Sequence, residues 1–152
     1  MAELVIVLGP TAVGKTDYSI DLALGYGSPV ISCDSRQIYR EMKIGTAPPS
    51  DEQLARVKHY FIGTRSVTDP PYTAGRYELD ALALLEELFR EHDTLVMAGG
   101  SGLYIDALCD GLDDFPDVDP SIRAGLMERL EKRVWKRSGS NCAVSTPRHS
   151  SR

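Results

Sequence analysis

Leu4-Val5-Ile6-Val7-Leu8-Gly9-Pro10-Thr11-Ala12-Val13-Gly14-Lys15-Thr16 is the stretch that decides the fold. Its five leading apolar residues are strand length, and Gly9-Pro10 stops them, so the run reads as a β-strand buried on both faces. From Lys15, the apolar residues Tyr18, Ile20, Leu22, Ala23 and Leu24 fit a short buried helix ended by Gly25 and Gly27. Between strand and helix, Gly9 to Thr16 matches G-x-x-x-x-G-K-[ST] in full. Glycines there let backbone N–H groups wrap a phosphate at the positive end of the helix. Lys15 supplies a point charge to phosphoryl oxygens, and Thr16 a hydroxyl ligand for Mg²⁺. Taken alone, this P-loop suggests a nucleotide such as ATP.

Outward from the loop, strands and helices alternate. Val30-Ile31-Ser32-Cys33 reads as a second short strand ending at Asp34, and Tyr60-Phe61-Ile62 as a third. The segment between them, from Glu41, is less periodic, and Pro48-Pro49 must interrupt any helix. Tyr77, Ala81, Leu84, Leu85 and Leu88 share one face of an amphipathic helix, with Glu78, Asp80, Glu86, Glu87 and Arg90 opposite. Thr94 to Ala98 is a further buried strand, closed by Gly99-Gly100-Ser101-Gly102, and a helix follows from Leu103 to about Leu108. This pattern predicts an α/β fold, a P-loop NTPase-like parallel sheet flanked by helices. Pro120 to Lys132 has helical periodicity, with Asp119 as N-cap and Pro120 at the first helical position. From Ser138 to Arg152 no apolar face exists, and the Ser- and Arg-rich composition predicts disorder.

Composition bounds the function. The chain has 152 residues, enough for one domain, with no apolar run near the roughly 20 residues of a membrane helix. Met1-Ala2-Glu3 lacks a basic secretory n-region, so no membrane association and a cytoplasmic location are expected. Cys33, Cys109 and Cys142 have no CxxC spacing and imply neither a disulfide framework nor a zinc site. His59, His92 and His149 lack metal-ligand spacing and read as surface or packing residues. A net charge of −5 does not advertise nucleic-acid binding, although a local basic patch remains compatible with it.

An ATP-hydrolysing P-loop protein usually ends a central apolar strand with an acid that helps hold Mg²⁺. Here Thr94 to Ala98 ends in Gly99 to Gly102 without one. The carboxylate at a predicted strand end is Asp34, followed by Ser35-Arg36-Gln37, on the P-loop side of the sheet. It can be read as a metal ligand, as a general base, or as an N-cap opening the next short helix. Arg36, Arg40 and Lys43 read either as RNA-phosphate contacts or as solvated loop charges. Trp135, in the basic stretch Lys132 to Arg137, reads as an RNA-stacking residue or as a helix end made to pack on another domain.

Four motifs in order make a resemblance specific. Residues 9–16, Ser32-Cys33-Asp34-Ser35-Arg36-Gln37-Ile38-Tyr39, Lys43-Ile44-Gly45-Thr46-Ala47 and Gly99-Gly100-Ser101-Gly102-Leu103-Tyr104 resemble the tRNA dimethylallyltransferase (tRNA isopentenyltransferase) family. The likeness covers roughly residues 3 to 135, including Tyr72-Thr73-Ala74 and Asp119 to Arg123. It implies transfer of a dimethylallyl group from dimethylallyl diphosphate to N6 of the adenosine 3′ of a tRNA anticodon. Its partners would be that diphosphate and the tRNA anticodon stem–loop, with Mg²⁺ as cofactor. It further implies that Gly9, Pro10, Thr11, Ala12, Val13, Gly14, Lys15 and Thr16 hold the diphosphate, with Thr16 on Mg²⁺. By the same resemblance Asp34 is the general base, Asp34, Ser35, Arg36 and Gln37 read the flipped-out base, and Ser101 and Arg123 contact tRNA. A domain at 1–137 is expected, with a tRNA-binding helical insertion opening at about 115–137 and an out-of-frame or disordered tail at 138–152. Family members being about twice this length, a truncated product with impaired transfer is the expectation. The competing readings are a P-loop kinase of a nucleotide or small metabolite, an isopentenyltransferase acting on free adenine nucleotides, and a nonenzymatic remnant.

Overall fold

The computed structural model describes residues 2–112 and 119–138, with side chains described as far as Lys132. The chain divides into two compact units, Met1–Leu112 and Asp113–Arg152. The first carries β1 (Glu3–Leu8), α1 (Lys15–Tyr26), β2 (Val30–Ser32), α2 (Asp51–Arg56), β3 (His59–Tyr60), α3 (Ala74–Leu88), β4 (Thr94–Gly99) and α4 (Gly102–Asp110). The second carries α5 (Pro120–Ser138).

The four strands form one parallel sheet in the order β1-β4-β2-β3. Alternation along the strands sorts side chains to two faces. Val30 of β2 and Val96 of β4 pack with Ile20 and Ala23 of α1 and with Val57. Ile31, Leu95 and Met97 point the other way, onto Tyr77, Ala81, Leu85 and Leu88 of α3 and Tyr104 and Ile105 of α4. The result is a three-layer α/β unit whose central strands are buried on both faces, as their near-continuous apolar sequences require.

β1 departs from its expected burial. It is an edge strand in this sheet, its middle residues are only half-buried, and Leu8 is 55% exposed. An apolar run is what a doubly covered strand looks like, but position in the sheet is a tertiary property that the run does not encode. Other boundaries shift for local reasons. Gly25 does not end α1, which continues to Tyr26. Gly27 ends it, in the left-handed conformation at φ 63°, with its N–H returned to the last turn. The third strand is His59–Tyr60 rather than 60–62, because Phe61 takes a left-handed φ of 61° that no strand can propagate.

α2 was not expected. Its N-terminus is a full capping box: the Ser50 hydroxyl accepts the Gln53 N–H, and the Gln53 side-chain oxygen accepts the Ser50 N–H. Gln53 also donates to Asp17 (2.6 Å) and Arg56 pairs with Asp21 (2.8 Å), so polar bonds tie α2 to α1. α5 begins at Pro120 as expected, the Asp119 carboxylate accepting the Ser121 N–H, and continues to Ser138. The expected tail beyond Ser138 lies outside the described residues. Among the described residues no helix is long and apolar enough to cross a membrane.

Candidate active site

β1 crosses to β2 through α1 and skips the intervening β4, which places the Gly9–Thr16 loop at the carboxyl end of the sheet, beside the ends of β4 and β2. Gly14 stands at the N-cap of α1 with φ 89°, a conformation that excludes a Cβ-bearing residue without strain, and it offers no side-chain cap. Ala12 is also left-handed, at φ 68°. The first-turn amides of α1 thus have no side-chain partner among the described residues, at the positive pole of the helix. The Lys15 ammonium folds back on the Pro10 carbonyl within the loop.

These features line one cavity of about 330 Å³. Thr11, Ala12, Gly14, Lys15 and Thr16 form one wall, Asp34 and Gln37 another, and Gly99-Gly100 close the side toward β4. The cavity therefore gathers most of the sequence-derived phosphate residues together with the candidate base. Gly9, Pro10 and Val13 belong to the loop but do not line it, and neither do Ser35, Arg36 or Ser101. Arg123 is exposed on α5, in the second unit.

Asp34 lies two residues beyond the end of β2. Its Oδ1 accepts two backbone N–H groups, from Arg36 at 2.8 Å and Gln37 at 3.2 Å, so the side chain caps its own turn. Oδ2 has no hydrogen-bond partner among the described residues. The capped segment is a turn and not the short helix expected after Asp34; one oxygen is structural and the other is available for the base reading. The next residue is pinned from β4: the Ser101 hydroxyl accepts the Ser35 N–H at 2.9 Å and lies 3.1 Å from the Ser35 hydroxyl.

Gln37 has a defined orientation because both neighbours of its amide nitrogen are carbonyls. Nε2 donates to Thr46 and Ala47, each at 3.0 Å, which holds the left-handed Ala47 (φ 45°) in the cavity wall. Its carbonyl oxygen is then the side chain's acceptor, able to take an N–H donor.

Beneath the turn, Tyr77 is 1% exposed, stacked on Tyr104 at 4.3 Å and tilted against Phe61 at 5.2 Å. Its hydroxyl donates to the Ser32 carbonyl at 3.1 Å. Burial, with the Asp34 charge beside it, pushes the Cys33 thiol up to about 12, so Cys33 is packing and not a nucleophile.

Several lining residues escaped the sequence reading: Ser32, Thr46, Gln53 and His59. His59 is the notable one. Its Nδ1 lies 2.8 Å from the Val57 carbonyl, its Nε2 is buried without a partner among the described residues, and burial holds its pKa below the ordinary value. No spacing rule singles out such a histidine. The Ser50–Gln53 spacing, by contrast, is a capping signal that locates α2 and with it Gln53.

The family model for IPP transferase matches residues 37–148. The tRNA dimethylallyltransferase 2 of Parabacteroides distasonis is 54% identical over 131 residues, which are 86% of this chain and 44% of that protein. Among solved structures, the full-length tRNA isopentenylpyrophosphate transferase of Bacillus halodurans superposes with a TM-score of 0.71 at 32% identity, over 87% of this chain and 44% of that one. A eukaryotic dimethylallyltransferase acting on tRNA gives 0.68 at 25% identity, over 78% and 30%. The chain spans less than half the length of the curated relatives it matches. With its parallel α/β sheet and the match over residues 37–148, the chain belongs to the IPP transferase family.

Proposed function

We propose that the cavity holds the diphosphate of dimethylallyl diphosphate, and that the chain serves transfer of its dimethylallyl group to N6 of the adenosine 3′ of the anticodon in tRNA. The observation that carries this reading is the convergence of the Gly9–Thr16 loop and Asp34 on one cavity. In the reaction the allylic C–O bond breaks and its electron pair leaves with the diphosphate. The N6–C bond forms, and the amine proton passes to Asp34, whose Oδ2 has no other partner among the described residues. The α1 amides and Lys15 stabilise the charge that grows on the leaving group, a role that preorganised donors perform well in a partly enclosed site. Gln37 presents an acceptor to the flipped-out base, whose extraction from the stack such chemistry needs.

A metal ion fits this donor set. Among the described residues no three acidic, His or Cys side chains gather into a cage. Mg²⁺ commonly keeps most of its waters and reaches a site with its phosphates, needing few protein ligands, and Thr16, which lines the cavity, would be one. When bound, it would neutralise charge on the diphosphate. The proposed tRNA substrate is compatible with work in the cytoplasm.

N6-prenylation of an anticodon stem–loop tests the proposal, with Asp34→Asn as the variant. The amide retains an oxygen for the turn but cannot take the proton, so transfer should fall by about 10²–10⁴-fold while Mg²⁺·pyrophosphate still binds. Transfer at the wild-type rate would remove Asp34 from the role of base.

A further inference from the structure

Ser101 occupies the N-cap position of α4, where a serine ordinarily accepts an N–H of its own helix, a bond worth about 1 kcal/mol. It makes no such bond. Its hydroxyl instead reaches across to the turn after β2, accepting the Ser35 N–H at 2.9 Å and bonding the Ser35 hydroxyl at 3.1 Å. Its own N–H donates to the Cys33 carbonyl at 3.2 Å, and the Cys33 N–H donates to Ala98 at 2.9 Å. The end of β4 thus grips the residues on both sides of Asp34. The next two amides, of Arg36 and Gln37, are taken by Asp34 itself.

We infer that Ser101 is a positioning residue, whose hydroxyl fixes the Asp34 turn against the phosphate loop. It does not line the cavity, whereas Asp34 does, so it acts through its neighbour. The hydroxyl has one proton and two lone pairs, and Ser35 engages it twice. One lone pair is left over for the tRNA contact that resemblance alone assigns to it. The inference rests on the transferase reading and specifies what sets the distance between the proton acceptor and the departing diphosphate. Small misplacements of such groups carry large rate penalties.

The test compares Ser101→Ala and Ser101→Thr with the wild-type chain, in stem–loop prenylation and in amide hydrogen exchange at Ser35. Ser101→Ala should lower kcat roughly tenfold or more with KM for the stem–loop unchanged. It should also speed exchange at Ser35, and Ser101→Thr, which keeps the hydroxyl, should restore both. A raised KM with kcat intact would make Ser101 an RNA contact and overturn the inference. So would unchanged Ser35 protection in Ser101→Ala, whatever the transfer rate. A wild-type chain that binds pyrophosphate but transfers nothing defeats the transferase reading and this one with it. Failure of this inference alone is recognised by active wild type and equally active Ser101→Ala.

Discussion

Gly99 approaches Cys33 so closely that a Cβ on Gly99 would stand 2.6 Å from the Cys33 carbonyl carbon and 2.7 Å from its oxygen and sulfur. This contact brings the end of β4, with Ser101 just beyond it, against the residue before Asp34. It explains why a glycine ends this strand although its backbone needs no left-handed conformation.

Gly99→Ala must therefore push β4 from β2, because the obstructing atoms are mostly backbone. A loss of about 1–3 kcal/mol in urea unfolding is expected, as for other overpacked sites. A change within about 0.5 kcal/mol, typical of an indifferent surface site, would show that the sheet accommodates the methyl group.

Cys33 and Cys109 should differ sharply toward thiol reagents. Cys33 is fully buried, with its pKa pushed up to about 12, and Cys109 is exposed. At neutral pH Cys109 should label promptly, and Cys33 only at the rate of unfolding or local opening. Labelling followed by peptide mapping reads both; prompt modification of Cys33 in the folded chain would contradict its packing.

His59 introduces a pH dependence whose sign follows from its burial. Its folded-state pKa lies below the ordinary value of 6.5, so the folded chain favours the neutral ring and the unfolded chain binds the proton more readily. Its contribution is fully present above about pH 6.5 and is lost as pH falls through the folded pKa. Unfolding of wild type and His59→Gln, followed from about pH 7.5 down to 5, should show a smaller acid loss in the variant. Parallel curves would mean that His59 does not titrate differently on folding.

Lys15 and Thr16 should govern ligand-induced stabilisation. Dimethylallyl diphosphate with Mg²⁺ should raise the melting temperature of the wild-type chain more than ATP does, since bound ligand adds RT ln(1 + [L]/Kd). Lys15→Ala should abolish most of that shift, and Thr16→Ala the part that depends on Mg²⁺. A larger shift with ATP would favour a kinase over a prenyl transferase.

The division between sequence and structure follows the range of the interactions. The P-loop was legible because its chemistry is local: two glycines, a lysine and a threonine at fixed spacing between a strand and a helix. The central strands β2 and β4 were legible as short apolar runs, and the amphipathic α3 through its 3.6-residue period. Asp34 could be placed at a strand end, on the correct edge of a parallel sheet, before any coordinates. The half-exposure of β1 was not legible, because an apolar run carries no record of which strands lie beside it.

Only the tertiary structure brought Ser101 to Ser35, 66 positions apart. It alone divided Asp34 into one oxygen that caps a turn and one without a hydrogen-bond partner among the described residues, fixed the Gln37 amide nitrogen on two carbonyls, and left His59 Nε2 buried. Hydrogen-bond partners across a sheet depend on strand order and register, which emerge when the two faces pack and no short-range pattern specifies. The sequence by itself determined a glycine-rich loop from Gly9 to Thr16 between a strand and a helix. Packing decided which groups stand opposite that loop, and what holds them there.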